Sequence, residues 1–112
     1  MSIIVDVGCG TGNLTNMLSL QIKHKMIIGL DNSDKMIEFA KNNHNFKTSN
    51  YVKVDITDDW EKLEDQLNLT ERTVDLIVSL YCLHWIKDKQ KALENISRLL
   101  KPGKYRKFLM IF

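Results

Sequence analysis

The sequence predicts an α/β domain, an open parallel sheet of about five strands with helices on both faces. Three observations predict it. Short apolar runs rich in Ile and Val alternate with longer amphipathic stretches along all 112 residues. No hairpin signal joins any two of the short runs. Most of those runs close on glycine or aspartate, residues that turn a strand into the start of a helix. Strands separated by helices must run parallel, joined by right-handed crossovers. The length allows one domain, residues 1–112, with no stretch resembling a linker.

The elements follow in order. Ile3-Ile4-Val5-Asp6-Val7 is short and β-branched, a buried strand. Gly8 to Gly12 is a glycine-rich turn. A helix then starts near Thr11 or Asn13, with Leu14, Met17, Leu18 and Ile22 on one face. Met26 to Leu30 is the second strand, closed by Asp31. Ser33 can cap the next helix, whose inner face is Met36, Ile37 and Ala40 and whose stop is Asn42 or Asn43. Tyr51 to Val54 is the third strand, closed by Asp55. Asp58 or Asp59 can cap a short helix through Trp60, Leu63 and Leu67. Val74 to Leu80 is the fourth and most apolar strand. Asp88 can cap a long helix carrying Ala92, Leu93, Ile96, Leu99 and Leu100, which Pro102-Gly103 ends. Phe108 to Phe112 is the fifth strand.

Composition narrows the function. Sixteen Lys and Arg against 14 Asp and Glu leave a net charge of +2, which gives nucleic acid or an anionic membrane little electrostatic hold. Residues 87–112 hold 8 basic and 2 acidic side chains, but apolar residues are interleaved throughout, as on a solvated helix face and a loop. No apolar run approaches the roughly 20 residues of a membrane span. Cys9 and Cys82 form neither a disulfide framework nor a C-x-x-C motif. The opening residues carry no basic n-region, and Asp6 interrupts the apolar run at once, so a reducing, cytoplasmic setting is expected.

In an open parallel sheet, ligands bind beyond the carboxyl ends of the strands. Those ends carry Asp6-Val7-Gly8-Cys9-Gly10-Thr11-Gly12 on the first strand, Asp31 on the second, Asp55 on the third, and Ser79 followed by Tyr81-Cys82-Leu83-His84-Trp85 on the fourth. Glycines at 8, 10 and 12 let the chain turn sharply and let a ligand touch the backbone. Asp31 can accept two hydrogen bonds from vicinal ribose hydroxyls. Asp55 can accept from the exocyclic amine of a base, and Ile56 can pack on its face. Each acid alone could be a mere turn former. Three acids and three glycines on successive strand ends describe a nucleoside site. The spacing G-x-G-x-G, with Asp6 two residues ahead of it, suits a cationic ligand better than a pyrophosphate.

The glycine turn, Asp31, Asp55 and the Leu99-Leu100-Lys101-Pro102-Gly103 close before the fifth strand together resemble a class I S-adenosylmethionine-dependent methyltransferase. The Ser79-Leu80-Tyr81-Cys82-Leu83-His84-Trp85 segment is similar to that of arthropod juvenile hormone acid O-methyltransferases and related carboxyl methyltransferases. The resemblance implies a Rossmann-like fold with S-adenosylmethionine as cofactor. Gly8, Cys9, Gly10 and Gly12 would line its methionine part, with Asp6 nearby. Asp31, Asn32 and Met36 would hold the ribose, Asp55 and Ile56 the adenine, and Ser79 would lie near the sulfonium. Trp85 would bind the substrate carboxylate through its indole N–H, whereas His84 reads as a packing residue.

The implied reaction is methyl transfer to the carboxylate of a small apolar acid, such as a sesquiterpenoid or fatty acid. Three alternatives stand: a cofactor-binding module without turnover, a methyltransferase of the same fold acting on another small molecule, and a nicotinamide or flavin enzyme. No metal or catalytic base is called for, and Cys82 as nucleophile is the runner-up chemistry. Lys104, where the family has a second glycine, departs from the pattern. The family also adds a leading helical segment and two further strands, so the resemblance implies a chain shortened at both ends and lacking much of the substrate half.

Overall fold

The computed structural model describes residues 2–80, 86–102 and 108–111, with backbone alone for Leu80 and 108–111. Five strands alternate with four helices: β1 Ile3–Val7, α1 Asn13–Gln21, β2 Met26–Asp31, α2 Asp34–Asn43, β3 Ser49–Lys53, α3 Trp60–Leu67, β4 Leu76–Leu80, α4 Lys89–Leu99 and β5 Phe108–Ile111. Every pairing is parallel, in the order β3-β2-β1-β4-β5. The chain lays down β1, β2 and β3 in one direction and then crosses back to add β4 and β5 on the other side of β1. Strand order therefore reverses between β1 and β4, the switch point beside which open sheets of this kind bind ligands.

The strand period of two divides the sheet into faces. Val5 and Val7 of β1, Ile28 and Leu30 of β2 and Ile77 of β4 are buried in one cluster with Trp60, Leu63 and Leu67 of α3 and Ala92, Ile96 and Leu99 of α4. Each fully buried Leu or Ile there contributes about 1.5–3 kcal/mol. The other face presents Asp6, Gly29 and Tyr51, which lie abreast in register. Tyr51 packs with Cys9 and with Ile37 and Ala40 of α2. Gly29 permits this, because a Cβ there would lie 2.8 Å from the Tyr51 ring and 3.0 Å from the Cys9 Sγ.

Local chemistry sets the helix starts. Ser33 accepts from the Met36 amide at 3.3 Å and Asp88 from the Lys91 amide at 3.0 Å. Asp59 occupies the corresponding position before α3, but its side chain makes no capping bond. At the amino ends of the strands, Asp75 accepts from the Ile3 amide at 2.8 Å and from Lys101 Nζ at 2.7 Å, tying the start of β1 to the approach of β4. The Arg98 guanidinium lies 4.7 Å from the centre of the Trp60 ring while bonding Glu71 at 2.6 Å. No helix among the described residues is long and apolar enough to cross a membrane.

Several expectations need correction. On α1 the fully buried residue is Thr15, whereas Met17 is 57% exposed and Ile22 is also exposed. Thr15 turns inward to bond the Asp6 carboxylate, while Met17 is turned outward. Met36 and Leu93 likewise point away from the core, and Asn95 takes a buried place on α4. The third strand begins two residues early, at Ser49, and stops before Val54, whose amide already bonds the Asp31 carbonyl at 3.0 Å. The fourth begins at Leu76, Val74 forming a separate bridge with Leu100.

Candidate functional site

The turn after β1 is held to β2 by its own backbone. The Gly8 and Cys9 amides both donate to the Leu30 carbonyl at 2.7 Å, and the Gly12 amide donates to the Cys9 carbonyl at 3.0 Å. Gly8, Gly10 and Gly12 all have positive φ, at 76°, 57° and 87°. The last two serve different ends. A Cβ on Gly12 would stand 3.1 Å from the Ala40 Cβ and 3.2 Å from the Tyr51 hydroxyl, so absence of a side chain lets α1 start against α2. A Cβ on Gly10 would meet nothing within 4 Å among the described residues. Gly10 therefore borders open space at the carboxyl end of the sheet.

Three carboxylates stand at the carboxyl ends of β1, β2 and β3, and Asp31 is the one in contact with Gly10. Asp31 Oδ2 accepts from the Gly10 amide and Oδ1 from the Ser33 amide, both at 2.9 Å. One side chain thus clasps the glycine turn and the start of α2, and each oxygen keeps a second lone pair for a ligand. Asp55 Oδ1 accepts from the Thr57 amide at 2.9 Å and hydroxyl at 2.6 Å. Its Oδ2 takes no bond among the described residues.

Asp6 is the unusual member. It is 1% exposed, and its Oδ2 accepts from the Thr15 hydroxyl at 2.7 Å. Its Oδ1 is buried with no hydrogen-bond partner among the described residues. Burial pushes the carboxyl up to about 6, against the pull of the Thr15 hydrogen bond and with added repulsion from Asp31.

A pH dependence follows with a definite sign. The folded-state value lies above the ordinary carboxyl value of 3.8, so the protonated form favours folding. That contribution is complete below about pH 4 and is lost as pH rises through about 6, a loss on the order of 3 kcal/mol. Urea denaturation at intervals from pH 4 to 7 is expected to show the chain losing stability relative to Asp6→Asn across that window. Parallel curves for the two proteins would contradict it.

The other anticipated residues fall as follows. Asn32 is exposed and Met36 is 41% exposed, both next to Asp31 at the start of α2. Ile56 is buried in the large core cluster rather than open at the surface, and its carbonyl accepts from Asn95 Nδ2 at 2.7 Å. Ser79 is buried at the end of β4, its hydroxyl donating to the Val7 carbonyl at 3.1 Å. Trp85, with Cys82 and His84, lies outside the described residues. Two polar residues of the site region escaped the sequence reading. Thr15 is short and sits in a segment read for apolar period alone. Asn95 also bonds the Asp58 carbonyl at 2.9 Å and so ties the loop carrying Asp55 to α4. Its signal was a polar residue at helical spacing between Ala92 and Leu99.

Sheet order and glycine turn together define a Rossmann-like α/β domain whose strand order switches between β1 and β4. Residues 2–108 match the family described as "Methyltransferase domain", and the chain belongs to that family. It is 31% identical to the juvenile hormone acid O-methyltransferase of Bombyx mori over 99 residues, 87% of this chain and 34% of that one. It is 32% identical to the malonyl-[acyl-carrier protein] O-methyltransferase of Hahella chejuensis, over 89% of this chain and 33% of that one. Among solved structures, a SAM-dependent methyltransferase from Aquifex aeolicus superposes with a TM-score of 0.74 at 25% identity, over 90% of this chain and 52% of the other. The chain spans about a third of the length of the curated relatives it matches.

Proposed function

We propose that the crevice between β1 and β4 binds S-adenosylmethionine and serves methyl transfer to the carboxylate of a small apolar acid. The observation that carries this reading is Asp6, a buried carboxylate with an unsatisfied oxygen beside a glycine turn whose Gly10 borders open space. An oxygen of that kind calls for a cationic or donor group from a ligand. The remaining donor set fits the same cofactor. Asp31 offers two lone pairs to the ribose hydroxyls, with Asn32 and Met36 alongside. Asp55 Oδ2 accepts from the adenine amine, Ile56 contributing backbone while its side chain stays in the core. Gly8, Cys9, Gly10 and Gly12 bring the main chain close to the methionine part, and Ser79 closes the floor between β1 and β4.

When bound, the cofactor supplies an electrophilic methyl group on a sulfonium. The chain's own residues orient it, keep water out and hold charge. The acceptor acid is ionised near neutral pH, so no residue need remove a proton from it. Rate then comes mainly from aligning the acid oxygen with the methyl group. Trp85 is assigned to the acid carboxylate through its indole N–H, on the strength of its resemblance to carboxyl methyltransferases. The names of the relatives support the substrate class, since juvenile hormone acid and the malonyl group are carboxylic acids. A cytoplasmic setting accords with the cysteine pattern.

Calorimetric titration with S-adenosylmethionine and separately with NAD is the test, followed by transfer of a labelled methyl group to a panel of sesquiterpenoid and fatty acids. Binding of the sulfonium cofactor and not of NAD is the expected result. The reverse order of affinity would overturn the reading. Binding with no labelled ester from any acid would reduce the function to cofactor capture.

A further inference from the structure

Thr15 is the one residue of α1 that is wholly buried, and its hydroxyl goes to Asp6. Apolar packing alone would favour a different arrangement. Met17 and Leu20 of the same helix are 57% and 76% exposed, while the inward place is held by a hydroxyl. A buried carboxylate with one oxygen unsatisfied lowers the stability of the chain that carries it. A pair of apolar residues of similar volume would serve packing better, which points to a role in binding.

The surroundings of Asp6 make the hydroxyl decisive. Asp31, from β2, repels it. Tyr51, from β3, is a neutral phenol pushed up to about 12 by burial and by the nearby Cys9 and Asp6. Cys9 lies on the following turn. Helix α1, Asn13–Gln21, contains no charged residue. His44, at the end of α2, bonds Asn13 Oδ1 at 3.0 Å. On β4 the residue in register with Asp6 is Val78, and the Ser79 hydroxyl is committed to Val7. Among the described residues, then, no cation faces Asp6, and Thr15 alone donates a hydrogen bond to it.

We propose that Thr15 is a positioning residue for cofactor binding: its hydroxyl holds Asp6 as an ionised acceptor, with Oδ1 left for the cationic end of the ligand. This rests on the reading of the crevice as an S-adenosylmethionine site. A cation binds the ionised carboxylate better than the protonated one, so affinity should rise with pH through the Asp6 titration and level off above it. Removing the hydroxyl moves that titration upward, and adding back a shorter hydroxyl restores it.

The test is S-adenosylmethionine affinity by calorimetry from pH 5 to 8.5, for the wild type, Thr15→Val, Thr15→Ala and Thr15→Ser. The midpoint is expected to move up by about one to two pH units in Thr15→Val and Thr15→Ala. Affinity would then be roughly two- to tenfold weaker at pH 7 and nearly equal to wild type at pH 8.5. Thr15→Ser should keep the wild-type midpoint. Thr15→Ala adds no methyl in place of the hydroxyl and reports the same shift should Thr15→Val fail to fold. Affinity that falls equally at every pH, or a serine variant impaired as much as the valine one, would make Thr15 a packing residue and overturn the proposal. Absence of binding by the wild type at every pH would instead overturn the cofactor reading beneath it.

Discussion

Asp31→Ala is expected to weaken S-adenosylmethionine binding by roughly 10²- to 10⁴-fold. On the proposed reading of the site the carboxylate would accept two hydrogen bonds from the ribose, each worth about 1.5–3 kcal/mol for a charged acceptor, and each 1.4 kcal/mol is tenfold in affinity. The substitution also frees the Gly10 and Ser33 amides, which now share this side chain at 2.9 Å. Some of the loss will therefore come from a looser glycine turn. Asp31→Asn separates the two parts. It retains one acceptor oxygen and most of the shape, so its affinity should fall between those of the wild type and the alanine variant. Calorimetry gives the affinities, and urea denaturation reports how much of the change is stability. An alanine variant with unchanged affinity would reduce Asp31 to a turn former.

The glycine turn is expected to split under substitution. Gly12→Ala should destabilise the chain by about 2–5 kcal/mol, combining a left-handed backbone with overpacking against a neighbouring helix. The physical basis is a φ of 87° together with contacts of 3.1 Å to the Ala40 Cβ and 3.2 Å to both the Tyr51 hydroxyl and the His44 ring. Gly10→Ala carries only the backbone cost, about 1–2 kcal/mol, because its side chain would meet open space. That same methyl would stand where a ligand is expected, so its main effect should be on binding. Urea denaturation and calorimetry on the two variants give a crossed pattern: Gly12→Ala worse in stability, Gly10→Ala worse in affinity relative to its stability loss. Equal stabilities would mean that the approach of α1 to α2 does not depend on Gly12.

The strands were legible because their signal is local. Ile3 to Val7 and Met26 to Leu30 are short β-branched runs that few other structures accommodate, and both match the observed strands to within a residue. Caps were legible for the same reason, as at Ser33 and Asp88. Helix faces were less so. The apolar period on α1 grouped Met17 and Ile22 on one face, yet the residue of that helix turned fully inward is Thr15, whose hydroxyl bonds the Asp6 carboxylate. On α4 the inward place of Asn95 depends on two carbonyls more than 35 residues away in sequence. Ile56, expected to pack on the face of a base, lies in the core cluster, a placement set by α3 and α4 rather than by its own neighbours in sequence.

By itself the sequence determined the alternation of strand and helix, the parallel sheet and the acids and glycines at successive strand ends. It could do so because periodicity, caps and turns depend on residues a few positions apart. Only the tertiary structure decided which oxygen of each acid is already bonded, that Asp31 clasps the turn it follows, and that Asp6 is buried with Thr15 of α1 as its donor. Those facts depend on side chains brought together across separate strands and helices, where burial and the lack of competing water fix which partner each polar atom must take.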